Sequence, residues 1–373
     1  MSYASVPGQH SMALDTRRNE VYAQALSQVI TPESVVLDVG AGLGIHGLLA
    51  AKLGAKRVYL VEPEDIIMVA KEIAHSNGFG DRVVCLQGPI EEVELPEKVD
   101  VITSVFTGNF LLEEDLLPSL FYARDRYLKP GGLMLPQAGV MQAVPVCAPE
   151  LYAADLEVWS QPHLGLNHSV ARPYVSQSIL YYRKELEKSR YLADPIDLFA
   201  LDFHQATDTN CQISVDYTIT ESGICHGLAG WFKMQLGENW LSTAPHEPPL
   251  HWSAAFLPLD PPLAVTAGDR LTFSLHRPAF GDWNWTVQTA QTKQSHSTFF
   301  SQPMTLASIK KNSLDYLPQK NPQGEAALEV LSRSDGTVSV QTLSDTLCQK
   351  YPQLFPDSQK AINFVRKLVG RFA

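Results

Sequence analysis

The densest chemical signal in the chain is Asp38-Val39-Gly40-Ala41-Gly42-Leu43-Gly44. It follows a short apolar, β-branched run, Ser34-Val35-Val36-Leu37, and precedes a helix-like stretch from Ile45 to Leu53. Glycines at alternate positions let a backbone turn tightly as it leaves a strand, and they put no Cβ between the main chain and a ligand. The helix that follows aims its N-terminal N–H groups at whatever is bound. The next strand, Arg57-Val58-Tyr59-Leu60-Val61, ends in Glu62, about where an acidic residue takes ribose hydroxyls. The dinucleotide fingerprint requires glycine or alanine at the position that Ile45 holds, and Gly44 comes one residue too early for it. A pyrophosphate therefore fits poorly, and the loop reads as a cradle for the nucleoside cofactor S-adenosylmethionine.

Such a loop must be held by neighbouring strands, and the sequence supplies them. Asp65 to Ser76 reads as a helix stopped by Asn77-Gly78, Arg82 to Leu86 as a strand, and Val99 to Ser104 as another. Leu116 to Tyr127 reads as a helix, after which Lys129-Pro130-Gly131-Gly132 turns the chain into Leu133-Met134-Leu135. Strands alternating with helices predict a parallel, Rossmann-like sheet over residues 31–137. Ahead of it, Ala13, Leu14, Val21, Tyr22, Ala25, Leu26 and Val29 fall near helical spacing, which predicts a helical lead-in over residues 1–30.

Beyond Pro136 the texture changes. Gln212 to Ile219 alternates strictly, and Arg270 to Leu275 and Trp285 to Thr289 alternate more briefly, between Pro and Gly turns. This predicts an antiparallel barrel or sandwich over residues 138–317. Within it, Trp159 to Asp194 is irregular and then helix-like from Ser178 to Tyr191, the pattern of a protruding arm. Pro318 to Gln323 reads as a linker, and Glu325–Leu331, Val340–Tyr351 and Ser358–Leu368 read as three short helices in a small helical or winged domain over 318–373.

The net charge of −11 argues against a nucleic-acid-binding protein, which needs a basic face to displace counterions. It suits cationic or neutral substrates. The five cysteines, Cys85, Cys147, Cys211, Cys225 and Cys348, are scattered and contain no C-x-x-C pair. They predict a reduced, cytoplasmic setting with neither a disulfide framework nor a metal site. No apolar run reaches the roughly 18 residues of a membrane span.

Several separated stretches resemble the protein arginine methyltransferases: Val36 to Gly44, Val58 to Glu62, Ile90 to Pro96 with Glu97 to Asp100, and Ser104 to Glu114 followed by Tyr122 to Leu128. Gly227 to Phe232, Leu241 to Pro245 and His251-Trp252 resemble the barrel of that family, with Leu250 where it carries threonine. The resemblance runs over about residues 3–290. It implies that His10, Met12 and Arg18 belong to helices closing over S-adenosylmethionine, with Arg18 on the methionyl carboxylate. It further implies that Asp38, Gly40, Gly42, Gly44, Glu62, Ile90, Glu91 and Ser104 line the cofactor. It implies a homodimer built through an arm at 160–193.

The resemblance also exposes a departure. The family grips a guanidinium with two glutamates. The second falls at Glu114, whereas the position of the first is Val105. Losing one carboxylate leaves a buried guanidinium poorly compensated, so the expected acceptor is a nitrogen of a small molecule, peptide or natural-product intermediate other than protein arginine. Arginine methylation proper, or an inactive binding module, stands as the alternative. Glu114 is the expected anchor or base and His251 a second polar wall placed by Trp252. Val105, Phe106 and Asn109 line the acceptor side. Finally, Asp335 to Val338, Leu343, Leu347, Tyr351-Pro352, Phe364-Val365 and Leu368 resemble the small peptide-binding domains of the pyrroloquinoline quinone biosynthesis D type, which implies presentation of a leader or carrier peptide.

Overall fold

The computed structural model describes residues 4–372. The chain divides after Pro303 into two compact units, a boundary that falls before the Pro318–Gln323 stretch expected to be the linker. The first unit opens with α1 (Val6–Ala13) and α2 (Thr16–Val29), capped by Ser5 and Asp15, whose side chains accept from Gly8 N and Arg18 N. Such caps satisfy donors that the first helical turn leaves unpaired.

A parallel sheet follows: β1 (Val35–Val39), α3 (Ile45–Lys52), β2 (Arg57–Glu62), α4 (Ile67–Ser76), β3 (Val83–Gln87), β4 (Val99–Ser104), α5 (Leu117–Tyr127) and β5 (Leu128–Leu135). The strand order is β3-β2-β1-β4-β5. All five residues of β1 are buried, as a strand covered on both faces requires. The order reverses at β1, and ligands of open α/β sheets bind outside the carboxyl ends of the strands at such a point. Val39 is in register with Val61 on one side and Ser104 on the other, so the segments leaving β1, β2 and β4 emerge side by side.

The remainder of this unit is antiparallel. One sheet centres on Gly223–Leu236, flanked by Ala138–Cys147 and Ala254–Val265, and a four-stranded sheet comprises Cys211–Thr218, Arg270–Arg277, Asn284–Gln288 and Lys293–Ser297. Tyr217 and Phe273 of the second of these sheets and Phe232 of the first share one continuous apolar core with Val36, Leu37 and Leu60 of the parallel sheet. The arm departs from expectation. Ser178 to Tyr191 is not a helix but a strand (Leu180–Tyr182), a 3-10 turn (Glu185–Lys188) and a short strand (Arg190–Tyr191). Leu180 to Tyr182 pairs with Ala254 to Phe256, and that ladder overrides the weak helical spacing.

The second unit holds the helices Leu306–Lys311, Pro322–Leu331, Val340–Lys350 and Ser358–Phe372, with no strand among its described residues. Its own small core comprises Ala326, Val330, Leu343, Leu347, Phe355, Ala361 and Val365. Asn321, inside the stretch read as a linker, caps the second of these helices by accepting from Gly324 N.

Candidate functional site

Gly40, Gly42 and Gly44 all adopt positive φ (66°, 53° and 77°), which side chains rarely adopt. Space forbids a side chain as well. A Cβ on Gly40 would lie 2.0 Å from the Phe106 ring, and one on Gly42 would lie 2.8 Å from Gln9 Oε1. The backbone N–H groups of Gly40 and Ala41 donate to Val61 O. Glu62 braces the loop further, since Oε2 accepts from Gly42 N (2.9 Å) and Oε1 from Glu64 N (3.1 Å). Asp38 Oδ2 accepts from Gly47 N (2.8 Å) and so pins the first turn of α3. Burial pushes the Asp38 carboxyl up to about 7, with the Gly47 bond opposing and the Glu62 charge adding. Burial also raises Glu62.

The helices α1 and α2 bring a cation to this acidic cradle. Arg18 is 3% exposed. Its Nη2 donates to Met12 O (2.6 Å) and to Asn19 Oδ1 (3.2 Å), and its Nε donates to Asn19 Oδ1 (3.3 Å). Asp15 and Asp38 act on it through space, yet among the described residues its guanidinium forms no ion pair with a carboxylate. A buried cation held only by neutral acceptors costs several kcal/mol, and a carboxylate-bearing ligand would meet that need. Glu62 could thus take ribose hydroxyls and Arg18 an amino-acid carboxylate, the two polar groups that S-adenosylmethionine presents.

The loop after β4 flanks the cradle, with Phe106 over Gly40. Phe110, Leu111 and Asp115 have positive φ (48°, 65° and 52°), a strain of about 1–3 kcal/mol each for such residues. Complete burial of Phe110 and Leu111 holds two of them in place. Asp115 is held by a bidentate ion pair with Arg277 (2.9 and 2.6 Å). Trp252 Nε1 donates to Thr107 O (2.7 Å), and Ser253 N donates to Asn109 Oδ1 (2.9 Å), which knits this loop to the barrel segment 250–253. His251 donates through its backbone N (2.8 Å) and shares Nδ1 (3.0 Å) with Asp15 Oδ2. Burial pushes the His251 imidazole down to about 4 against the pull of Asp15. The contact is therefore a neutral histidine donating to an ionised aspartate. Burial opposes ionisation of Asp15, but the bonds from the His251 side chain and backbone hold its carboxyl below the ordinary range.

Asp38, the three glycines, Glu62 and Ser104 converge at one sheet edge. Val105 is half-buried and packs against the main core, and Phe106 lies over Gly40. Glu113 and Glu114 are both exposed on the loop, and Glu113 accepts from Trp283 Nε1 (2.8 Å). Ile90 is buried and Glu91 exposed after β3. His10 is exposed, and its neighbour Gln9 is the α1 side chain seated on Gly42. Met12 contributes its carbonyl to Arg18. The sequence reading missed Asp15, Asn19 and His46. Asp15 had a legible signal, a helix-capping residue three before Arg18. Asn19 and His46 had none, because the bond between them spans 27 residues.

Two family profiles match the chain: a methyltransferase domain over residues 36–132 and an arginine methyltransferase oligomerization subdomain over 137–282. Protein arginine N-methyltransferase 6 of Xenopus laevis is 33% identical over 285 residues, covering 72% of this chain and 83% of its own length. A probable histone-arginine methyltransferase CARM1 of Oryza sativa subsp. indica is 33% identical over 304 residues, 76% of this chain but 57% of its own. Among solved structures, the Trypanosoma brucei PRMT1 enzyme–prozyme heterotetramer with AdoHcy superposes with a TM-score of 0.71 at 26% identity, over 80% of this chain and 99% of that one. Arabidopsis thaliana protein arginine methyltransferase 10 gives 0.67 at 25%, over 79% and 99%.

Proposed function

This chain belongs to the protein arginine methyltransferase family, and from that premise we propose that it methylates a guanidinium nitrogen of arginine in a peptide or protein. The cofactor is S-adenosylmethionine, which supplies an electrophilic methyl group on a sulfonium. The rest is positioning by this chain's side chains. Arg18 takes the cofactor carboxylate, Glu62 the ribose, and Ile90 and Glu91 flank the base. Glu114 accepts N–H bonds from the acceptor, which orients its nucleophilic nitrogen. His251, neutral and tied to Asp15, walls the site opposite.

The observation that carries the arginine reading is the 33% identity to the Xenopus relative across 83% of its length. The expectation of an acceptor other than arginine rested on Val105, and the relatives support arginine better. One observation still favours a less cationic nitrogen: Val105 leaves Glu114 without the second carboxylate. Labelled methyl transfer to an arginine peptide and to its lysine-substituted counterpart tests the two. Methylarginine after hydrolysis of the first alone is the expected result. Label found only in small molecules would overturn it in favour of the second reading. Glu114→Gln should abolish turnover while leaving S-adenosylhomocysteine affinity nearly unchanged, and equal loss of both would refute the role of Glu114. The oligomerization-subdomain match and the exposed apolar arm support a homodimer formed through residues 160–193.

A further inference from the structure

His46 stands at the second position of α3, directly behind the glycine loop, and is 4% exposed. Its ring stacks on Tyr22 of α2 with centroids 4.1 Å apart. Its Nε2 lies 3.2 Å from Asn19 Oδ1, the same oxygen that accepts from Arg18 Nε and Nη2. The Asn19 amide cannot be turned over, because its Nδ2 donates to Ala13 O (2.8 Å). Asn19 Oδ1 is therefore an acceptor, and His46 must donate to it, which fixes the Nε2–H tautomer. Burial, with the Arg18 charge adding, holds the His46 imidazole well below its ordinary range, so the ring is neutral.

The geometry is a chain of three side chains. His46 on α3 fixes the Asn19 oxygen, and that oxygen receives two of the guanidinium nitrogens of Arg18. Met12 O holds Nη2 from the other side. Nη1 makes no hydrogen bond among the described residues.

We infer that the buried His46–Asn19 pair is the positioning device that aims Arg18 at the carboxylate of the cofactor. The inference rests on the proposed role of Arg18. It explains why a polar ring is tolerated among the apolar, buried residues of this helix. It also couples the glycine loop to the covering helices, since α3 begins where the loop ends. Neither residue touches the cofactor in this assignment. Each acts through Arg18.

The test compares two probes, S-adenosylhomocysteine, which carries the carboxylate, and 5′-methylthioadenosine, which lacks the amino-acid carboxylate. Binding of both to the full chain is measured by calorimetry for His46→Leu, His46→Gln and Arg18→Gln. A hydrogen bond to a charged group is lost or loosened, so His46→Leu should weaken S-adenosylhomocysteine by about tenfold. 5′-Methylthioadenosine should bind as before, which also shows that the cradle has folded. His46→Gln restores an N–H donor and should recover most of the affinity. No loss for either probe, or equal loss for both, would overturn the inference. Arg18→Gln is read separately: an unchanged ratio between the probes would refute the assignment of Arg18, whatever His46→Leu does.

Discussion

Asp15 Oδ2 accepts from both the backbone N–H (2.8 Å) and the Nδ1 side (3.0 Å) of His251, 236 residues away. Asp15 Oδ1 caps α2 at Arg18 N. One carboxylate thus ties the N-terminal helices to the barrel loop at 250–253, which the proposed function makes a wall of the acceptor site. Asp15→Ala should cost about 2–4 kcal/mol, from the cap and the charge-assisted bonds together. It should lower kcat/KM more than cofactor affinity, because the wall is released while Arg18 keeps Asn19. Urea denaturation and steady-state kinetics check it. A loss below about 0.5 kcal/mol, the level of an ordinary surface substitution, would show that the tie is incidental.

Gly40 faces the Phe106 ring at positive φ. Gly40→Ala therefore combines backbone strain with overpacking of about 1–3 kcal/mol. Binding of S-adenosylhomocysteine should weaken at least tenfold. Pairing it with Phe106→Ala should recover part of that loss, which separates the clash from the strain.

Under the proposed function, Val105 is the departure that bears on the acceptor. A Val105→Glu substitution places a second carboxylate on the loop that carries Glu114. For an arginine peptide the KM should fall by about tenfold, the gain of one charge-assisted pair. Thermal stability should drop, because a charge enters a half-buried apolar position. An unchanged KM would place the guanidinium away from position 105.

Much of the fold and part of the site were legible because they are local. The glycine loop, its strand and Glu62 lie within a stretch of 28 residues, and glycine spacing and strand patterning both act over that range. Three of the four helices described in the second unit were legible for the same reason, through caps and apolar spacing, whereas Leu306–Lys311 fell inside the range read as barrel. The arm was not: Leu180 to Tyr182 is a strand because Ala254 to Phe256 lies beside it. The Asp15–His251 and His46–Asn19 contacts depend on tertiary packing, and a single histidine in an apolar helix gives no hint of its partner. His10 illustrates the converse, since a one-residue shift along α1 puts Gln9, not His10, on the loop.

The arm offers its own test. Leu164 and Leu166, at a tip closed by a bridge between His163 and Leu166, are 88% and 62% exposed. Arg172 locks the arm to the barrel through Asp260 (2.9 and 2.7 Å). Burying two leucines at an interface contributes about 1.5–3 kcal/mol each. Replacing both with aspartate should raise the dimer dissociation constant by about two orders of magnitude or more. Sedimentation velocity should show a dimer for the parent and a monomer for the variant. An unshifted dimer would place the interface elsewhere.

The buried histidines set a pH dependence whose sign is fixed. His251 titrates at about 4 in the folded chain against 6.5 for the free side chain. Between those values the unfolded chain binds the extra proton and the folded chain does not, so this group's contribution to stability falls as pH falls. His46 shifts in the same direction. Asp38 opposes them: its carboxyl sits at about 7 against 3.8, so the folded state binds more protons there and acidification favours it. The net slope mixes these groups, and a variant isolates one of them. In His251→Asn the amide still donates to Asp15 but does not titrate. Its destabilisation relative to the parent should be largest near pH 7 and shrink steadily towards pH 4.5. Urea denaturation of both chains across that range measures the difference. A constant difference would mean that His251 keeps an ordinary imidazole pKa in the folded chain.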